Sequence, residues 1–192
     1  MRRLGVGTKG SERGAAIVEA AIILPLVILL TFGALEVGFA LSDASGLRSS
    51  VRSGARIGAA LSRQPTQLKA IVDAVNEGLK SLSFTKVTHL YVYADATLSP
   101  VTSCSPAPAK PKPQMCVDID VVDKNQFDPT LFIPTWNQNL SSEDACVNEA
   151  WKLGVTVVGQ YGVVTKIVAV PRAVSATMLI DLEPTISSSC KG

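Results

Sequence analysis

The longest apolar run in the chain covers residues 20–35, sixteen positions without a charged side chain. As a helix it would be about 24 Å long at about 1.5 Å per residue, short of a hydrocarbon core about 30 Å thick. Extended to Leu41 it reaches about 33 Å, enough to cross a bilayer, and takes in Glu36. Glu19 and Glu36 then flank the run near the two interfaces, where a carboxylate costs less than at mid-membrane. The pattern predicts a transmembrane helix over residues 15–41. A cleaved secretory signal is the competing reading. Its apolar region is normally about 7–15 residues, and Phe39-Ala-Leu-Ser42 is not a clean A-x-A cleavage site.

Beyond Leu41 the period stays helical while the composition turns polar, which predicts a continuation of the helix over 42–62. From Ala34, every fourth residue is small: Gly38, Ser42, Gly46, Ser50, Gly54, Gly58 and Ser62. Positions four apart form one ridge of a helix, and small residues there let a neighbouring backbone approach closely. Composition supplies part of that row, since Ala, Gly and Ser fill 16 of the 29 residues from 34 to 62. Arg48, Arg52 and Arg56 form a second row, either a solvated face or a partner for lipid phosphates or carboxylates.

After Pro65, Leu68, Ile71, Val72, Val75, Leu79 and Leu82 recur at amphipathic spacing and predict a second helix. Strand patterns follow. Leu90, Val92, Ala94 and Ala96 alternate with His89, Tyr91, Tyr93 and Asp95, and Met115, Val117, Ile119 and Val121 alternate with Cys116, Asp118 and Asp120. Two further β-rich runs lie at 154–160 and 173–182. One or two helices followed by about four strands read as α+β, with an antiparallel sheet packed on helix. The expected divisions are a basic leader (1–14), the span (15–41), its polar continuation (42–62) and an α+β domain (63–192).

Charge and cysteines bear on topology. Arg2, Arg3, Lys9 and Arg13 precede the span and Arg48, Arg52 and Arg56 follow it, a weak bias toward a cytoplasmic N-terminus. All four cysteines, Cys104, Cys116, Cys146 and Cys190, lie after the span without C-x-x-C metal spacing. That pattern points to two disulfides on an oxidising side, and so to an extracytoplasmic domain. Cys104 and Cys116 bracket Pro106-Ala-Pro-Ala-Lys-Pro-Lys-Pro113, an extended segment whose base a hairpin disulfide can close. This makes Cys104–Cys116 the expected pair, with Cys146–Cys190 by elimination; the rival pairs Cys104 with Cys190. The segment from Phe127 to Trp136 is expected to cover the sheet, with a docking patch as the alternative.

Signals for catalysis are poor. The single histidine, His89, sits in a strand pattern with no adjacent nucleophile and reads as a surface residue. Asp118, Asp120, Asp123 and Asn125 lack the Gly and terminal Glu of a calcium loop and read as a solvated strand face. Asn139-Leu-Ser141 is a formal glycosylation sequon and reads as a chance match. No phosphate loop or dinucleotide fingerprint occurs, and a net charge of +2 argues against a nucleic-acid surface. The expectation is a non-enzyme with no cofactor, no metal and no nucleic-acid partner.

Glu12-Arg-Gly14-Ala15-Ala-Ile-Val-Glu19-Ala-Ala-Ile-Ile-Leu-Pro25, then Gly33-Ala-Leu-Glu36-Val-Gly38 and Gly54-Ala-Arg-Ile-Gly58, resembles the TadE family. These are minor pilins or pseudopilins of the tight-adherence (Flp) pilus machinery. The resemblance covers about residues 12–60, with a weaker echo over 153–184. Ala20 stands where such processing sites often carry an aromatic. The resemblance implies cleavage by a prepilin peptidase between Gly14 and Ala15, with Glu19 neutralising the amine of a neighbouring subunit. It also implies other pilin-like subunits, assembly-complex proteins and membrane lipid as partners, and a role in pilus assembly and adhesion. The alternative is a single-pass or secreted cell-surface binding protein unrelated to pili.

Overall fold

The computed structural model describes residues 9–62, 64–95, 104, 115–134, 136, 152–164 and 172–182, with residues 9–13 as helical backbone alone. The leader residues 1–8, the proline-rich run 106–113, Asn139, Cys146 and Cys190 fall outside the described residues. Two helices precede five strands: α1 (Lys9–Ala60), α2 (Gln67–Leu79), β1 (Thr85–Asp95), β2 (Met115–Asp123), β3 (Gln126–Phe127), β4 (Lys152–Tyr161) and β5 (Arg172–Asp181). The chain divides into two compact units, Met1–Phe39 and Ala40–Gly192.

The first unit is built on the apolar half of α1. Pro25 lies inside this helix and has no N–H to give, so the carbonyl one turn earlier loses its usual donor. The Thr31 hydroxyl donates to the Val27 carbonyl at 2.8 Å, which satisfies that polar group within the helix itself.

The second unit is an antiparallel sheet of order β3-β2-β1-β4-β5 with helical segments on one face. Register explains the core. Leu90, Val92 and Ala94 of β1 stand opposite Ile119, Val117 and Met115 of β2 and opposite Val157, Val155 and Leu153 of β4. Ala176, Met178 and Ile180 of β5 extend the same rows. Since side chains alternate along a strand, these residues share one face, and they meet Leu68, Ile71, Val72, Val75 and Leu79 of α2. Leu47, Val51 and Ala55, four apart on α1, join them and are buried. Each fully buried aliphatic side chain contributes about 1.5–3 kcal/mol relative to exposure.

The sequence pattern led to about four strands, and the sheet has a fifth, two-residue β3. It exists because Lys124 and Asn125 adopt positive φ, 39° and 63°, which turns the chain straight back from β2. Two asparagines then hold this corner. The Asn125 amide donates to the Thr85 carbonyl at 2.9 Å and accepts from the Val87 N–H at 3.0 Å, beside the irregularity between Val87 and His89. The Asn76 amide of α2 likewise donates to the Phe127 carbonyl and accepts from its N–H, both at 2.9 Å.

The segment from Phe127 to Trp136 covers the core. Phe127 and Trp136 are buried, Phe132 and Ile133 pack against the cluster, and Leu131 projects outward. The Trp136 indole Nε1 donates to Gln67 Oε1 at 3.2 Å, while Gln67 Nε2 donates to the Gly58 carbonyl at 2.7 Å. Gly58 lies in the last turn of α1, where carbonyls run out of intrahelical donors. A buried glutamine thus finishes one helix and anchors the indole.

Candidate functional site

Residues 14–41 of α1 present their side chains outward. Ile17, Val18, Ile22, Leu24, Leu30 and Leu41 are each about 60–70 % exposed, and nothing in the most apolar eighteen-residue window is buried. That window has a mean hydropathy of 2.5. So large an exposed apolar surface is costly in water and favourable in lipid, so this helix fits a membrane anchor.

Glu19 shares one helical face with Ala16, Ala20, Ile23, Leu24 and Val27. The two small alanines leave a shallow recess beside the carboxylate, which forms no ion pair among the described residues. Ala15 lies one turn before Glu19, so the backbone nitrogen of Ala15 and the Glu19 side chain lie along the same side. At Gly14 an added Cβ would meet nothing within 4 Å, so packing among the described residues places no demand for glycine there.

The row of small residues splits. Ala34, Gly38 and Ser42 are exposed, and an added Cβ at Gly38 also meets open space. Ser50, Gly54 and Gly58 are buried. A Cβ on Gly54 would fall 2.5 Å from Val75 Cγ2, and one on Gly58 would fall 2.5 Å from Leu153 Cδ2. From the facing helix, a Cβ on Gly78 would fall 2.7 Å from Ser50 Cα, so the two backbones touch there. Gly46 is partly buried against Leu82 and Ser81. The lower part of the row therefore serves packing of α1 against α2. Arg48, Arg52 and Arg56 are exposed and form no ion pair among the described residues.

Asp43 was not singled out by the sequence pattern. It is buried, and its two carboxylate oxygens accept from the backbone N–H groups of Ser83 (3.2 Å) and Phe84 (2.9 Å), immediately before β1. Its partners lie some forty residues further along the chain, so no local pattern points to them.

The sheet face away from α2 carries the remaining polar groups. His89, Tyr91 and Tyr93 of β1 stand opposite Asp120, Asp118 and Cys116 of β2. Cys104 and Cys116 are disulfide-bonded with Cα atoms 5.5 Å apart, a loop closure worth about 3 kcal/mol in chain entropy. Tyr93 is fully buried and lies over Gly154, where a Cβ would sit 2.2 Å from its ring. Its hydroxyl shares a hydrogen bond with Thr156 Oγ1, which in turn pairs with Thr177 Oγ1 at 2.9 Å. The Tyr91 hydroxyl is pushed above its ordinary pKa by burial and then by the charges of Asp118 and Asp120. Asn125 holds backbone, as described above, so it does not join Asp118 and Asp120 in a loop site.

Among known proteins, a family model described as TadE-like protein matches residues 14–56. The match contains Gly14, Ala15, Glu19 and the small-residue row down to Gly54, and leaves the strands outside it. No curated protein matches the chain, and no solved structure does. Residues 14–56, within the N-terminal helix, are thus similar to the TadE-like family model.

Proposed function

We propose that the protein is a minor pilin or pseudopilin of a Tad/Flp pilus assembly, processed between Gly14 and Ala15 and held by α1 in the cytoplasmic membrane. The observation that carries this reading is a helix similar to the TadE-like model whose Gly14 answers to no packing among the described residues. Hydrolysis of the Gly14–Ala15 amide would release the basic leader and create an ammonium one turn before Glu19. In lipid an unpaired carboxylate is unfavourable, so Glu19 acquires a counter-ion in that amine or in the amine of a neighbouring subunit. The N-terminus lies on the cytoplasmic side and the sheet domain outside, a direction that the Cys104–Cys116 disulfide supports. The exposed Ala34–Gly38–Ser42 row faces neighbouring subunits, and adhesion follows from incorporation into a surface pilus.

Intact-mass measurement on protein from the native membrane tests this reading. The expected mature chain starts at Ala15, and Gly14→Phe accumulates as uncut precursor. A mature start near Ser42 overturns it in favour of a secreted protein, and normal processing of Gly14→Phe removes the peptidase reading.

A further inference from the structure

On the outer face of the β1–β2 pair, three ligand-type side chains converge. His89 Nδ1 lies 2.9 Å from Asp120 Oδ1 and 3.2 Å from Asp118 Oδ1, and the three donor atoms all lie within 4.8 Å of one another. Register produces the cluster. His89 is the direct cross-strand partner of Asp120, and Asp118 lies two residues along the same strand, hence on the same face. The His89 ring stacks on Tyr91 with centroids 5.8 Å apart and planes within 15°, which fixes where its nitrogen points.

We propose that His89, Asp118 and Asp120 form a binding site for one divalent transition-metal ion of the zinc class, bridging β1 and β2 outside the membrane. Spacing and charge both support it. Ligands at about 2.0–2.1 Å from a tetrahedral zinc lie about 3.3 Å from one another, close to both His–Asp separations here. Two carboxylates face one imidazole, whose Nδ1 can give a single proton to the pair of them. A divalent ion in place of that proton balances both charges at once. The imidazole selects zinc, nickel or copper over calcium and magnesium, which prefer all-oxygen shells. His89 and Asp118 are 40 % exposed and Asp120 is 82 % exposed, so solvent can fill the remaining coordination positions. The ion would clasp the two strands near the Cys104–Cys116 bond. This site is independent of the pilin reading, because neither the TadE-like match nor α1 contributes a ligand.

Calorimetric titration of zinc chloride into the full-length, untagged protein in detergent, stripped beforehand of metal, tests the site. The expected result is saturable binding of one ion per chain and a zinc-dependent rise in unfolding temperature. Asp118→Asn, Asp120→Asn and His89→Gln each weaken binding at least about tenfold, by comparison with the effects of lesser changes around metal ligands. Asp123→Asn, on the same strand, leaves it unchanged. The two Asp→Asn changes keep size and shape at exposed positions, so they decide the matter even where His89→Gln disturbs the strand. Absence of saturable zinc binding overturns the proposal. So does binding that survives both Asp→Asn changes, or calcium binding tighter than zinc.

Discussion

The two halves of α1 obey different rules. Residues 14–39 have apolar side chains turned outward on every side, and their glycines, Gly14, Gly33 and Gly38, meet open space. Residues 40–60 are polar by composition, yet Leu47, Val51 and Ala55 are buried and Gly54 and Gly58 face side chains that a methyl group would strike. One continuous helix thus passes from a segment whose apolar side chains are exposed to one whose side chains pack within its own domain. Hydrophobicity and burial run in opposite directions along it, because burial reflects which neighbours the fold supplies.

The sharpest way to break this comparison is to truncate an aliphatic side chain in each half. Leu47→Ala should destabilise the sheet domain by about 2–5 kcal/mol, read by denaturant unfolding with tryptophan fluorescence. Leu30→Ala should leave that transition where it was, since the Leu30 side chain is exposed. Equal losses in both would erase the distinction between the halves.

The two acidic residues give the next contrast. Asp43→Ala removes the acceptor of two N–H groups at the start of β1 and should cost about 1.5–3 kcal/mol of domain stability. Glu19→Ala should leave stability and membrane insertion intact while impairing assembly with partner subunits, as scored by pilus formation beside membrane fractionation. Wild-type assembly with Glu19→Ala would remove the proposed counter-ion role.

Glycines refine the boundary with smaller effects. Gly78→Ala should cost about 1–3 kcal/mol through overpacking against the Ser50 backbone, whereas Gly38→Ala should not move the unfolding midpoint. A measurable loss at Gly38 in the isolated detergent-solubilised monomer would show a contact within the chain.

Period and length made much of the architecture legible before any coordinates. The sixteen-residue apolar run, the amphipathic positions of α2 and the alternation in β1 and β2 are local properties, and each appears as the element its period predicts. The TadE-like character of residues 14–56 was legible for the same reason, being a pattern of Gly, Glu and Pro along one helix. Long-range partners were not. The sequence marked Asn125 as part of a solvated strand face and Asn76 not at all, and only the fold lays strand backbone beside their amides. Asp43 carries no local mark of its partners Ser83 and Phe84, which lie some forty residues further on. His89 stands twenty-nine residues from Asp118, and spacing alone grouped Asp118 and Asp120 with Asp123 and Asn125 instead.

By itself, then, the sequence determined which segments are helix or strand, which segment is apolar enough for a bilayer and which family model its N-terminal helix resembles. These follow from periodicity and composition over short windows. Only the tertiary structure decided that the small-residue row divides between packed and open positions, that Trp136 is buried on Gln67, and that His89 meets two carboxylates. Each of those depends on register and close approach between segments distant along the chain, which no local pattern encodes.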